Sequence, residues 1–148
     1  MPKIDLDAID AVERTNYPPE YAAGVKGRMV RRMTAMLGLQ DFGVSHVTLR
    51  PGAWSSQRHW HEREDELVVM LTGEAVLVDD AGRIQMRAGD MAVFPKNDGN
   101  GHHLRNESDR DCVFVAIGLP PEGPCHYPDI DMLYQAGGYT RKDGSSFA

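Results

Sequence analysis

From residue 43 onward the chain is cut into short apolar segments by turn residues, and this rhythm constrains its fold more than any other feature. Val44–Leu49 alternates in character and ends at Pro51-Gly52, and Leu67–Leu71 runs to Gly73. Ala75–Val78 is joined to Ile84–Met86 through Asp79-Asp80-Ala81-Gly82, a hairpin turn by composition. Gly89-Asp90 marks another turn, Met91–Phe94 another strand closed by Pro95, and Cys112–Ile117 the last strong strand. Short strands at intervals of roughly eight to twelve residues predict an all-β sandwich, jelly roll or barrel. A length of 148 residues fits one domain spanning 1–148, with its barrel core over about 43–118.

The flanks read differently. Leu6, Ile9 and Val12 set a helical period, so residues 5–14 predict a short helix or else an irregular segment, ended by Pro18-Pro19. Residues 25–40 fit a helix or a strand and loop equally well. Met29, Met33 and Met36 have helical spacing, but glycines at 24, 27 and 38 bracket the segment. After the core, Pro120–Pro124 is a loop. Tyr127–Asp131 and Tyr134–Tyr139 then carry aromatics and acids without periodicity. This predicts an extended C-terminal arm over about 119–148, lying on the barrel or on a neighbouring subunit and fraying from Lys142.

Charge and composition exclude several classes. A net charge of −6 opposes a phosphate backbone, which argues against nucleic-acid binding. The cluster Lys26, Arg28, Arg31 and Arg32 reads as a solvated edge, or as an anion or subunit contact. No apolar run is long enough for a membrane span, and the opening residues have no apolar signal region. Cys112 sits in an apolar run and reads as a buried small hydrophobe; nothing calls for a disulfide, which fits a reducing cytoplasm.

Chemistry concentrates in His59-Trp60-His61, Glu66 and His102. Three imidazoles and a carboxylate suit a divalent transition metal such as Mn, Fe, Co, Ni or Zn. Histidines at i and i+2 on a strand share a face. Glu66 has the wrong parity for that face, unless the polar stretch Glu62-Arg63-Glu64-Asp65 is a solvated turn after which Glu66 opens the next strand. Asp65 is the alternative ligand if that turn is tighter, and His103 competes with its neighbour His102. His46 and His126 read as structural, or as groups orienting a ligand ring. If Glu66 points inward, Val68, Met70 and Thr72 do too. Trp54, Met91, Phe94 and Phe114 read as barrel core, and Tyr127, Tyr134 and Tyr139 as packing residues able to lid the open end.

Gly52, His59-Trp60-His61, Glu66 and Gly73 resemble the first motif of the cupins, and Gly89, Pro95, Gly99, His102 and Asn106 resemble the second. One extra residue precedes His59, and two fall between Pro95 and Gly99. The likeness covers about residues 43–118. It implies a double-stranded β-helix, or jelly-roll barrel, with one divalent metal ion held by His59, His61, Glu66 and His102. The segments 38–43 and 126–131 look like those of a bacterial subgroup whose members carry sugar-isomerase-like labels.

Four protein ligands leave room for water or substrate on the ion, which points to catalysis. The expected reaction is isomerisation, epimerisation or lyase chemistry on a small hydroxy-carbonyl or sugar-like molecule. An Fe- or Ni-dependent dioxygenase, a non-catalytic small-molecule binder and a purely structural metal are the alternatives. No catalytic base stands out among His46, His103, His126 and Tyr127. A homodimer is expected, because jelly rolls must shield their sheet edges.

Overall fold

The computed structural model describes residues 3–119 and 121–148, so Met1, Pro2 and Pro120, the first residue of the expected loop, lie outside it. Twelve antiparallel strands form three sheets. The first contains β1 (Arg28–Arg32), β2 (Gly43–Leu49), β4 (Glu66–Thr72), β7 (Met91–Phe94) and β9 (Cys112–Gly118), in the order β1-β2-β9-β4-β7. The second, in the order β6-β5-β8, contains β5 (Glu74–Asp79), β6 (Gly82–Arg87) and β8 (His103–Arg105). The third, in the order β12-β11-β10-β3, contains β3 (Trp60–His61), β10 (Cys125–Tyr127), β11 (Met132–Gln135) and β12 (Gly138–Thr140). The bridge His59–His102 joins the residue before β3 to the residue before β8, and Trp54 bridges Arg105 of β8. Together these form the cupin-type β-barrel.

Side chains from both walls fill the core. Val47, Leu49, Val68, Met70 and Phe114 come from the five-stranded sheet, and Ala75, Leu77, Met86 and Leu104 from β5, β6 and β8. Inward alternation along β4 holds for Val68 and Met70 but fails at Thr72, which is exposed. A register shift between Met70 and Thr72 turns the strand just before Gly73. At Gly73 φ is +72°, and an added Cβ would lie 2.6 Å from the Asp111 carbonyl oxygen and 2.8 Å from the Cys112 Cα. Gly73→Ala combines a left-handed backbone with a backbone clash, so we expect a loss of about 3 kcal/mol. That is roughly a 10 °C fall in melting temperature. A fall of less than about 2 °C in a thermal melt would show that the corner can relax.

Several expectations need correction. The predicted helix over 5–14 is only a 3₁₀ turn at Leu6–Ala8, capped by Asp5, and Val12 instead bridges Val30. Helical spacing was misleading here, because Ile9 and Val12 face β1 rather than one side of a helix. The ambiguous segment 25–40 is β1 followed by turns. Met91, expected in the core, is 66% exposed on the outer face of β7. The C-terminal segment adds β10–β12 to β3 as a sheet extension. Cys125, Tyr127 and Met132 pack there with Tyr17, Tyr21, Tyr139 and Phe147. Lys142 is tied down rather than frayed, its N–H donating to Asp131 at 2.9 Å.

Candidate metal centre

His59 and His102 exchange two backbone hydrogen bonds, of 3.1 and 2.9 Å, so the fold itself sets their imidazoles side by side. His61 follows on β3, the polar turn intervenes, and Glu66 opens β4, as the parity argument required. The three imidazole Nε2 atoms then converge on one carboxylate. His102 lies 2.8 Å and His59 3.6 Å from Oε2 of Glu66, and His61 lies 3.4 Å from Oε1. The ligand atoms of His59, Glu66 and His102 all lie within 4.8 Å of one another, a spacing that one ion can bridge.

The opposite nitrogens are tethered. Nδ1–H of His59 donates to the Gln57 carbonyl at 2.9 Å, with Ser56 Oγ also at 3.1 Å. Nδ1–H of His102 donates to the Asn100 carbonyl at 3.2 Å. In those tautomers both Nε2 lone pairs face the Glu66 carboxylate, an arrangement that only a proton or a cation between them relieves. Phe94 stacks flat on His102 with centroids 3.6 Å apart, fixing that ring from the side. The donor set therefore fits a divalent ion.

His61 is oriented differently, by a group that the sequence placed in solvent. Glu64 is 3% exposed, and one of its oxygens accepts the backbone N–H groups of Glu122 and Gly123. Its other oxygen faces His61 Nδ1 at 3.5 Å, and both atoms are buried without a hydrogen bond. Cys125, paired with His61 across β10 and β3, also brings its Sγ within 4.8 Å of ligand atoms of His59 and His61. Nothing in the sequence separated Glu64 from Glu62 and Asp65, and Cys125 is remote from both motifs. Only the strand pairing reveals them.

The remaining candidates are accounted for elsewhere. His103 is buried with both ring nitrogens engaged, one on the Ser56 carbonyl at 2.8 Å and one accepting from Arg105 Nε at 2.9 Å. Burial is the main reason its pKa falls to about 4. Asp65 accepts the Lys96 N–H at 2.8 Å, and His126 stacks on Trp60 and bonds Glu62 at 2.7 Å. His46 lies on β2 beside Arg31 of β1.

Electrostatics tie the cluster together. Burial would raise the Glu66 carboxyl, but the surrounding His102, His59 and His61 rings outweigh it and hold it far below the usual range. Burial would also lower His61, yet its hydrogen bonds with Cys125 and Glu66 win and lift it to about 10. His102 goes the other way, because its burial exceeds the help from Glu66. The metal-free chain at neutral pH therefore holds a His61 imidazolium beside Glu66. An ion needs the neutral ring, so metal loading should expel about one proton, and apparent affinity should rise with pH up to about 10. Calorimetry in two buffers of different ionisation enthalpy counts that proton; a count of zero at pH 8 would contradict the charged pair.

Beside the cluster lies a cavity of about 210 Å³, lined on its apolar side by Val47, Val68, Phe94 and Phe114. Among the described residues, no helix is long and apolar enough to cross a membrane.

Comparison with known proteins identifies relatives of the fold. Residues 45–118 match the Cupin domain family. A crystal structure of a sugar phosphate isomerase from a cupin superfamily, from Silicibacter pomeroyi, superposes with a TM-score of 0.93 at 41% identity, covering 99% of this chain and 97% of that one. An oxalate-binding protein from Thermotoga maritima is 32% identical over 73 residues, 49% of this chain and 58% of that protein, so the match spans little more than half of that relative. The polyketide cyclase RemF of Streptomyces resistomycificus shares the fold alone: TM-score 0.67, 20% identity, covering 80% of this chain and 79% of that one. By its matched residues and its barrel, this chain belongs to the cupin family.

Proposed function

We propose that this cupin binds one divalent metal ion through His59, His61, Glu66 and His102 and acts on a small hydroxy-carbonyl or sugar-like substrate as an isomerase, epimerase or lyase. The observation that carries this reading is the convergence of three imidazoles, two of them tethered at Nδ1, on Glu66 at the wall of a small cavity. Bound there, a divalent ion supplies Lewis acidity to a hydroxy-carbonyl group. The chain's own part is to fix the rings through Gln57, Asn100 and Glu64, to keep Glu66 ionised, and to exclude water with Phe94 and Phe114. The likeness to the Silicibacter sugar phosphate isomerase over nearly the whole chain supports the isomerase side. His103, with both nitrogens engaged, is not available as the base, and His126 sits outside the cavity lining.

The test is elemental analysis of untagged protein, followed by assays on hydroxy-carbonyl and sugar phosphate substrates. About one equivalent of Mn, Co or Zn with turnover is the expected result. Fe or Ni with oxygen consumption would move the reading to a dioxygenase. Folded protein that takes up no divalent ion would overturn it. A second reading, a binder that leaves its ligand unchanged, is favoured by the likeness to the oxalate-binding protein; tight binding without turnover would establish it. A homodimer and a cytoplasmic location belong to the same proposal. The exposed apolar residues Met91 and Val93 on the outer sheet face support the former.

A further inference from the structure

Arg28, Val30 and Arg32 alternate along β1, and all three line the cavity that holds His59, Glu66 and His102. Strand register explains the shape of that cavity. Gly43, Gly118, Glu66 and Phe94 form one cross-strand row, and Arg32, Ser45, Ala116 and Val68 form the next. At about 4.8 Å per strand, the arginine strand lies roughly 14 Å from the Glu66 strand. On the two strands between them, the small residues Ser45 and Ala116 line the cavity beside Val47 and Phe114. A trough therefore leads from the carboxylate toward the guanidinium groups. Its 210 Å³ is the room of about seven water molecules. A second groove, of about 650 Å³, shares the wall of Arg28, Val30 and Arg32 and is also lined by Arg14 and Asp10.

Among the described residues neither Arg28 nor Arg32 forms an ion pair, although Arg58, Arg83, Arg87 and Arg141 all do. Arg28 is held in place without being neutralised. Its Nη1 donates to the Ser55 carbonyl at 2.7 Å and its Nη2 to the Arg14 carbonyl at 3.2 Å, while its Nε is buried with no partner. Burial pulls its pKa down, and the charged or titratable groups acting on it are tyrosines and Arg32, not a carboxylate. A half-buried cation with an unspent donor is costly unless an anion meets it. Ser55 and the next residue, Ser56, link this anchor to the centre, because Ser56 Oγ lies 3.1 Å from His59 Nδ1.

We infer that the cavity recognises a small substrate carrying an oxyanion, phosphate or carboxylate, which Arg28 and Arg32 bind while the other end of the molecule meets the His59, Glu66 and His102 cluster. The role given to that cluster rests on the function proposed above; the arginine contact does not.

The experiment is calorimetric titration of the full-length, metal-loaded chain with three probes of similar size: dihydroxyacetone phosphate, glycerate and uncharged dihydroxyacetone. At least one charged probe should bind tenfold or more tightly than the neutral one, and which of them does so separates phosphate from carboxylate. Arg28→Gln and Arg32→Gln should each remove most of that preference, and Arg32→Gln should do so with bound metal unchanged. Arg28 has structural bonds to lose, but Arg32 is exposed and makes none, so its variant separates recognition from misfolding. Equal binding of all three probes, or a preference that survives in both variants, overturns the inference while leaving the metal reading intact. A chain that takes up no metal, yet keeps an arginine-dependent preference for the anion, overturns the metal reading and supports this one.

Discussion

His102→Ala is expected to lower bound metal from about one equivalent per chain to near zero, a loss of affinity of at least a hundredfold, whereas His103→Ala should retain the ion. The two neighbours differ because one ring points at Glu66 at 2.8 Å and the other is spent on the Ser56 carbonyl and Arg105. Loss of an orienting group around a metal typically costs ten- to a hundredfold in affinity, and loss of a ligand costs more. Elemental analysis of both variants, with circular dichroism to confirm folding, makes the comparison. Metal retained in the first variant and lost in the second would reverse the assignment. The same pair should separate in stability, since removing His103 leaves the Ser56 carbonyl and the Arg105 Nε–H to find new partners.

Asn106→Leu should unfold the barrel more readily than any substitution at the metal ligands. Asn106 is fully buried and uses its whole amide. Its Nδ2 donates to the carbonyls of Leu49 at 2.8 Å and Arg110 at 2.7 Å, and its Oδ1 accepts from the Ser108 N–H at 3.0 Å and hydroxyl at 2.7 Å. Leucine has similar bulk but strands the buried Leu49 carbonyl and leaves the part-buried Ser108 N–H unpaired, at roughly 1–3 kcal/mol each before relaxation, while the Arg110 carbonyl keeps the Ser108 hydroxyl. We expect a total loss of about 4 kcal/mol, read as a lower midpoint in urea unfolding. Asn106→Asp should fare little better, because it keeps the acceptor and gives up both donors. A loss under about 1 kcal/mol in both would mean that water takes over the network. In the second motif, then, His102 belongs to the candidate centre and Asn106 is a clamp joining the end of β2 to the loop before β9.

The barrel was legible because its evidence is local. Strand alternation, the Asp79–Gly82 turn and Gly73 each act within a few residues, and the structure keeps all three. The placement of His59, His61 and Glu66 was legible for the same reason, since parity across one polar turn puts Glu66 on the right face, whereas His102 was singled out by the likeness to the second cupin motif. What the sequence hid depends on pairing between distant segments. Glu64 is buried only because the backbone at Glu122 and Gly123 caps it, and Cys125 meets His61 only through β10. The N-terminal segment misled for a related reason. Its apolar residues match a helix by spacing, but their partner is β1, and tertiary contact overrode the periodic signal.

The strand pairings also bear on when the centre can exist during synthesis. Glu66 and His102 are 36 residues apart, and the backbone that steadies Glu64 lies a further stretch along, 59 residues from it. A nascent chain that has emerged only as far as β7 therefore carries His59, His61 and Glu66 but neither His102 nor the backbone that steadies Glu64. The donor set is complete only after the segments carrying β8 and β10 have docked. An ion is then chosen by a finished, rigid socket rather than by a loose peptide that would favour whichever metal binds most tightly. The long reach of these contacts thus makes ion choice a property of the folded barrel, and of the ions present when it closes.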